Sequence, residues 1–471
     1  MPFALRQIVS AALLCIVCTA LIAAEHFHYG RFGTVAIYRP GDGDVRSVAL
    51  LLSGDGGRDA GTVALAKRLA GLNTLVIGID TRAYLQRLEG SAEACAQPWA
   101  ELRSLAQAVE RREGVSGYIW PMLVGQSSGA SLAYAALVQA PTDTFKGGVA
   151  VEFCPELRMA KPLCKGDQPS AHPGLDRKGL VLDPVMQLNA PFSVLAGEST
   201  GTCDGARAKA FFAGMIGATS IPVGATERDS DGGNAWQGQF QEAYLRIAGS
   251  DASMRTSAVD EPAGLADLPL TEVVDKSARA TDTFAIFFSG DGGWATLDAE
   301  TSKRLAAAGV PVVGVSSLRY FWRERSPAQM ASDLKRIVAV YGKRWDRTRF
   351  ALLGYSLGAD VAPFMASHLD HSTASHLAML GLLAPGRQAA FQFHLSDWLG
   401  QARPGRPIEP EVAALGTLPV VCLYGADEAG ESLCSLPAMA RHTVRAFKGG
   451  HHFASDYDGV AAALLAGMGL K

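Results

Sequence analysis

Ser356 sits inside Gly354-Tyr355-Ser356-Leu357-Gly358, and two histidines, His451 and His452, follow Gly449-Gly450 near the end of the chain. A serine hydroxyl attacks a carbonyl at neutral pH only when a base takes its proton, and imidazole is the side chain suited to that work. His451 is the favoured base and His452 the alternative. A third group must orient the ring and stabilise its charged form. The stretch Gly425-Ala426-Asp427-Glu428 offers two carboxylates; Glu428, three residues past the glycine, is favoured, with Asp427 the alternative. The three functions then occur in the chain order Ser, acid, His. An oxyanion on the attacked carbonyl needs backbone N–H donors. Leu357 supplies one, and the turn Asp291-Gly292-Gly293 supplies another, because glycine lets the main chain approach closely. Asp360, one helical turn beyond Ser356, is a candidate for holding a cationic substrate group; an acid there also simply suits a helix N-terminus. The chemistry calls for no cofactor, and no His/Cys cluster has metal-ligand spacing.

These residues need elements to present them. Phe350–Leu353 reads as a strand running into the glycines around Ser356, with a helical stretch from Ala359, a strand-turn-helix that pushes the serine hydroxyl outward. Further apolar runs at Phe284–Phe288, Val310–Val315, Leu377–Leu383 and Val420–Tyr424 alternate with helical stretches. Val444–Phe447 is the last strand-like stretch before His451. Such runs, bounded by Gly and Pro, suit strands buried on both faces of a parallel sheet. The expected fold is α/β, with a mostly parallel sheet covered by helices on both faces.

The pattern is written twice. Ser53-Gly54-Asp55-Gly56-Gly57 matches Ser289-Gly290-Asp291-Gly292-Gly293, and Gly125-Gln126-Ser127-Ser128-Gly129 matches the turn around Ser356. At the offset of the first match, 236 residues, Lys67-Arg68-Leu69-Ala70 pairs with Lys303-Arg304-Leu305-Ala306, and Tyr84 with Tyr320. In the first copy Val35–Tyr38 and Val48–Leu52 read as strands. The period is far longer than that of a solenoid, so a whole domain is duplicated. In the first copy, however, Asn234 stands where the histidine belongs, and the acid position is blurred into Glu198-Ser199-Thr200. His172 falls out of order. The first copy is therefore expected to be catalytically silent.

The chain has 471 residues, enough for two cores, with 48% hydrophobic and 19% charged residues,. Its formal net charge is -3, and without a basic run it is not expected to bind nucleic acid,. The expected organisation is a cleaved secretory signal over 1–24, a first domain over 25–248, a linker over 249–267 and a second domain over 268–471. A short strand or helix is expected at Leu268–Val274. Arg6, the apolar run Ile8 to Ala23 and the small residues at its end carry the signal reading. An exported chain permits disulfides; Cys154 with Cys164, and Cys422 with Cys434, are the pairs near in sequence.

The repeated Ser-Gly-Asp-Gly-Gly turn, the run Gly354 to Asp360 and Gly449-Gly450-His451-His452-Phe453 resemble the bacterial virulence protein VirJ/AcvB family. The second half looks like the VirJ domain, and the two-domain layout with a leading signal is AcvB-like. The resemblance implies two α/β-hydrolase-like domains in the periplasm, peripheral to the inner membrane, and no cofactor. It implies hydrolysis of lysyl-phosphatidylglycerol, an aminoacyl phospholipid, with Ser356 carrying the reaction. Asp360, Asp291 and Glu300 are the acids open for the substrate amines. It also implies one alternative, an adaptor for type IV secretion components; an esterase or lipase of other specificity is the second alternative.

Overall fold

The computed structural model describes residues 24–41, 44–164, 171–174, 179–197, 205–223, 236–249, 264–392 and 405–470. The expected signal, the residues 198–200 and Asn234, and most of the expected linker lie outside them.

Two sheets organise the chain. The first half contributes β1 (Glu25–Tyr29), β2 (Gly33–Tyr38), β3 (Ser47–Leu52), β4 (Thr74–Ile79), β5 (Met122–Gln126), β6 (Gly147–Val151), β7 (Glu156–Leu157), β8 (Ala171–Pro173), β9 (Leu180–Leu182), β10 (Gln187–Gly197) and β11 (Ile216–Val223). Eight of them form one sheet in the order β1-β2-β4-β3-β5-β6-β10-β11, and β7-β9-β8 form a small separate one. Only β1–β2 and β2–β4 are antiparallel in the large sheet. The second half contributes β12 (Leu270–Val273), β13 (Thr283–Phe288), β14 (Val312–Val315), β15 (Arg349–Tyr355), β16 (Leu377–Leu383), β17 (Gln388–Ala389), β18 (Arg406–Pro407), β19 (Val420–Gly425) and β20 (Thr443–Phe447). Seven of these pair as β12-β14-β13-β15-β16-β19-β20, parallel except at β12. Leu268–Val274 thus resolves into an edge strand, and Leu265 and Leu268 already pack into the second core.

Both large sheets are covered on both faces, so their central strands are almost wholly apolar, with Ser47, Thr74 and Thr283 buried at strand starts. β3, β4, β13 and β16 are buried at every position, which costs no backbone hydrogen bonds because the ladder satisfies them. In the first half the helices Ala60–Ala70 and Trp236–Ala248 pack on one face; the helices Thr81–Glu89, Pro98–Arg112 and Ser128–Gln139 pack on the other. In the second, Thr296–Ala307 and Tyr457–Gly467 cover one face, and Pro327–Trp345 and Leu357–Ser367 the other. The strand order and helix placement are those of two tandem α/β-hydrolase-like domains, as expected. β1, alternately half-buried and exposed, and the small β7–β9 sheet were not foreseen.

The cysteine pairing corrects one expectation. Cys422 and Cys434 are bonded, but Cys164 joins Cys95 rather than Cys154. Cys154 is itself in another disulfide. Spacing suggested Cys154, whereas the fold brings Cys164 alongside Ala96, whose backbone exchanges contacts with Pro162 and Cys164.

Candidate active site

The chain turns sharply between β15 and the helix Leu357–Ser367, and Ser356 occupies the turn with φ 52° and ψ −120°. A non-glycine residue in that region is strained and persists only where its surroundings hold it. Ser356 N donates to Leu383 O of β16 at 2.9 Å. The flanking glycines are sterically required: a Cβ on Gly354 would lie 2.2 Å from Gly358 O, and one on Gly358 would lie 2.1 Å from Phe288 O.

The loops after β19 and β20 converge on this turn. Their backbones meet closely, since a Cβ on Gly425 would lie 2.2 Å from Gly450 O, and Asp427 N donates to Gly449 O at 3.1 Å. That contact aligns the side chains that follow. His451 Nδ1 lies 3.0 Å from Glu428 Oε2, and the His451 ring lies 5.2 Å, between centroids, from Tyr355, the neighbour of Ser356. With Nδ1–H given to the carboxylate, Nε2 becomes the basic nitrogen of His451. His452 has a different partner, the Tyr355 hydroxyl, 3.1 Å from its Nδ1. Burial and then the adjacent His451 hold the His452 imidazole below its ordinary value. Of the two alternatives at each position, His451 and Glu428 meet each other; the exposed Asp427 side chain and His452 do not join that pair. Among the described residues Ser356 Oγ and His451 are not hydrogen-bonded. Contacts of this kind are often long before substrate closes on them.

The turn after β13 abuts the elbow, where a Cβ on Gly290 would lie 3.4 Å from Ser356 Cβ. Gly293 N donates to Gly290 O at 3.1 Å, and Gly293 has φ 81°. Among the described residues Gly292 N–H donates none of the backbone hydrogen bonds of the turn. Leu357 opens its helix, so its N–H has no intrahelical acceptor,. Ser289 is fully buried and its hydroxyl accepts from Ser317 N at 2.9 Å. The serine of this motif therefore ties the turn to the next helix and does no chemistry of its own, a role the sequence did not indicate.

Asp360 projects beside the elbow, half-buried, and Oδ1 accepts from Gly386 N at 2.7 Å. Burial, reinforced by the Asp291 carboxylate, pushes its carboxyl well above the usual range, against the pull of that hydrogen bond. The two carboxylates thus act on each other electrostatically. Glu300 lies elsewhere, paired with Lys303 at 2.7 Å and Arg304 at 2.8 Å, which hold its carboxyl low. Among the described residues no group of His, Cys, Asp and Glu could hold a metal ion.

The first half repeats the scaffold. Ser127 has φ 45° and ψ −115°, Ser53 Oγ accepts from Thr81 N at 3.1 Å, and Gly57 N donates to Gly54 O at 3.1 Å. Its serine, however, donates to Glu152 Oε2 at 3.0 Å. Glu152 directly follows β6 with φ 55°; the matching place after β16 is Ala384, with φ 48°. Glu152 was missed because only the sheet brings neighbouring strand ends together. His172 pairs with Asp183 at 2.9 Å within the described residues, joining the small sheet rather than the Ser127 turn.

Est1E from Butyrivibrio proteoclasticus matches with 13% identity and TM-score 0.32, covering 42% of this chain and 94% of that one. An alpha-beta serine hydrolase homologue from Coxiella burnetii matches with 15% identity and TM-score 0.31, covering 49% and 99%. MenH from S. aureus matches with 12% identity and TM-score 0.32, covering 42% and 97%. At these scores the fold assignment stands on the strand order and the elbow geometry themselves. No curated protein matches the chain. Residues 282–471, which hold every residue of the second-half site, match the model of the bacterial virulence protein (VirJ) family.

Proposed function

We propose that this chain is a serine esterase whose second half hydrolyses the aminoacyl ester of lysyl-phosphatidylglycerol. The observation that carries the reading is the His451–Glu428 pair, 3.0 Å apart, beside a serine held at φ 52° on a strand-to-helix elbow. Ser356 Oγ attacks the lysyl carbonyl while His451 Nε2 takes its proton. Glu428 holds the ring and balances the imidazolium that forms. The N–H groups of Leu357 and of Gly292 in the Asp291-Gly292 turn receive the oxyanion. His451 then gives the proton to the departing glycerol oxygen, releasing phosphatidylglycerol. A water, deprotonated by the same ring, cleaves the lysyl-serine ester to give lysine and free Ser356. Carboxylates at Asp360 and Asp291 are poorly accommodated side by side, and a lysyl ammonium between them would relieve that repulsion,.

The lipid substrate places the protein at a membrane surface, and we propose the periplasmic face of the inner membrane, reached by the N-terminal signal. Among the described residues no helix is long and apolar enough to cross a membrane. The test is lysine release from vesicles containing lysyl-phosphatidylglycerol by the purified chain. Release that falls at least about a thousandfold in Ser356→Ala supports the reading. Vesicles left intact, with a simple chromogenic ester still cleaved, would make it an esterase of another specificity. Cleavage of neither would favour an adaptor for secretion components.

A further inference from the structure

The first half has its own elbow but reaches into the site of the second. Arg103, on the helix Pro98–Arg112, is only 7% exposed. Its guanidinium lies 5.3 Å from the Trp99 ring centroid, and Nη1 donates to Gly292 O of the other half at 3.4 Å. The fit is close, since a Cβ on Gly292 would lie 3.3 Å from the same nitrogen. The peptide joining Gly292 to Gly293 is thereby held at both ends, its carbonyl by Arg103 and its N–H by Gly290 O at 3.1 Å.

A second set of contacts fixes the same turn from below. Tyr118, Leu318 and Trp322 form a buried cluster between the halves, joined by Trp120. Trp322 Nε1 donates to Val115 O at 2.9 Å and Arg323 Nε to Ser116 O at 2.8 Å. Arg111 lies 4.1 Å from the centroid of the Trp322 ring. Leu318 belongs to the short helix Ser317–Tyr320, whose first amide is tied to Ser289 and whose Leu318 side chain backs Gly293. The docking surface and the Ser289–Gly293 turn are thus one mechanical unit.

We infer that the first half acts in catalysis as a positioning domain, with Arg103 fixing the Gly292–Gly293 peptide and, through Gly292, the orientation of the adjacent Gly292 N–H that serves as an oxyanion donor beside Ser356. Arg103 acts through Gly292 and touches no substrate. The inference rests on the esterase reading for its consequence in turnover, but its mechanical core is independent of it.

The test uses the full chain with Arg103→Met, which keeps an apolar stem on Trp99 and removes the donor, and Trp322→Ala as a second route to the same turn. Two readouts are taken: hydrogen exchange of the amides from Gly290 to Trp294, and kcat and KM for p-nitrophenyl butyrate. Both variants are expected to exchange about tenfold faster at the turn. They are expected to lose about ten- to a hundredfold in kcat with KM within about twofold, because a donor displaced by about 1 Å no longer meets the transition state. Arg103→Lys, which keeps a donor, should recover part of both. Unchanged exchange at the turn in Arg103→Met overturns the inference, whatever the activity. Wild-type protein that cleaves no ester overturns the proposed function instead, and the exchange measurement still decides the positioning role.

Discussion

Replacing one oxygen of Glu428 by nitrogen probes the pairing most sharply. Glu428→Gln keeps size and shape but can no longer favour the tautomer with hydrogen on His451 Nδ1 or balance an imidazolium. It is expected to lower kcat by about a thousandfold or more while the melting temperature stays near wild type, since both partners are only half-buried,. Asp427→Asn, altering an exposed acid with no ring partner, is expected to change kcat by less than about twofold; steady-state kinetics on the two variants decide between the acids. A second residue governs stability. Asp298 is fully buried, accepts from Ala295 N at 3.0 Å, and burial pushes its carboxyl up to about 7. In the unfolded chain it ionises near pH 4. Between about pH 4 and 7 the folded chain therefore keeps a proton that the unfolded chain has lost, and stability falls as pH rises through that window. Asp298→Asn can still accept from Ala295 N but does not titrate. It is expected to flatten this part of the melting-temperature profile; an unaltered slope would show that Asp298 does not titrate there.

At the scale of elements, the site is a set of strand ends. β13, β15, β19 and β20 each deliver one piece of it at their carboxyl ends, where open parallel sheets concentrate chemistry. The loop that carries Glu428 is closed by Cys422 on β19 and Cys434, both buried. Cross-linking a loop of this size stabilises by about 3 kcal/mol in the chain-entropy view. Cys422→Ser with Cys434→Ser is expected to cost about that much in denaturant unfolding and to lower kcat, because the loop then holds Glu428 less firmly; a loss of stability with intact kcat would separate the bond from the site. Much of this scale was legible in the sequence. Strands buried on both faces announce themselves as unbroken apolar runs, so Leu377–Leu383 was read to the residue. The elbow and the two Gly-rich turns were legible because close backbone contact leaves glycine as the only fit. β1 was not, because a half-exposed edge carries a weak pattern. Nor were Cys95–Cys164, Glu152 or Arg103, since each depends on segments remote in sequence meeting in space.

The whole molecule sets two elbows of closely matching φ and ψ in one chain and equips them differently. Both serines are strained, both are flanked by glycines that nothing else could replace, and both sit beside a Gly-rich turn. What differs is the partner. Ser127 gives its hydroxyl hydrogen to Glu152, and a carboxylate is a far weaker base than imidazole, so the bond holds the hydroxyl without activating it. Ser356 has a carboxylate-backed imidazole within its own loop cluster. On the proposed reading the first half serves the second mechanically, carrying Arg103 and the Val115–Tyr118 segment that meets Trp322. A fluorophosphonate, which reacts only with activated serines, discriminates between the two. The full chain is expected to take up one equivalent, located at Ser356 by peptide mapping. Labelling should vanish in Ser356→Ala and persist at the wild-type rate in Ser127→Ala, whose turnover should also stay within about twofold of wild type. Label found on Ser127, or a comparable loss of turnover in Ser127→Ala, would mean that the first elbow is a working site and that Glu152 activates its hydroxyl rather than restraining it.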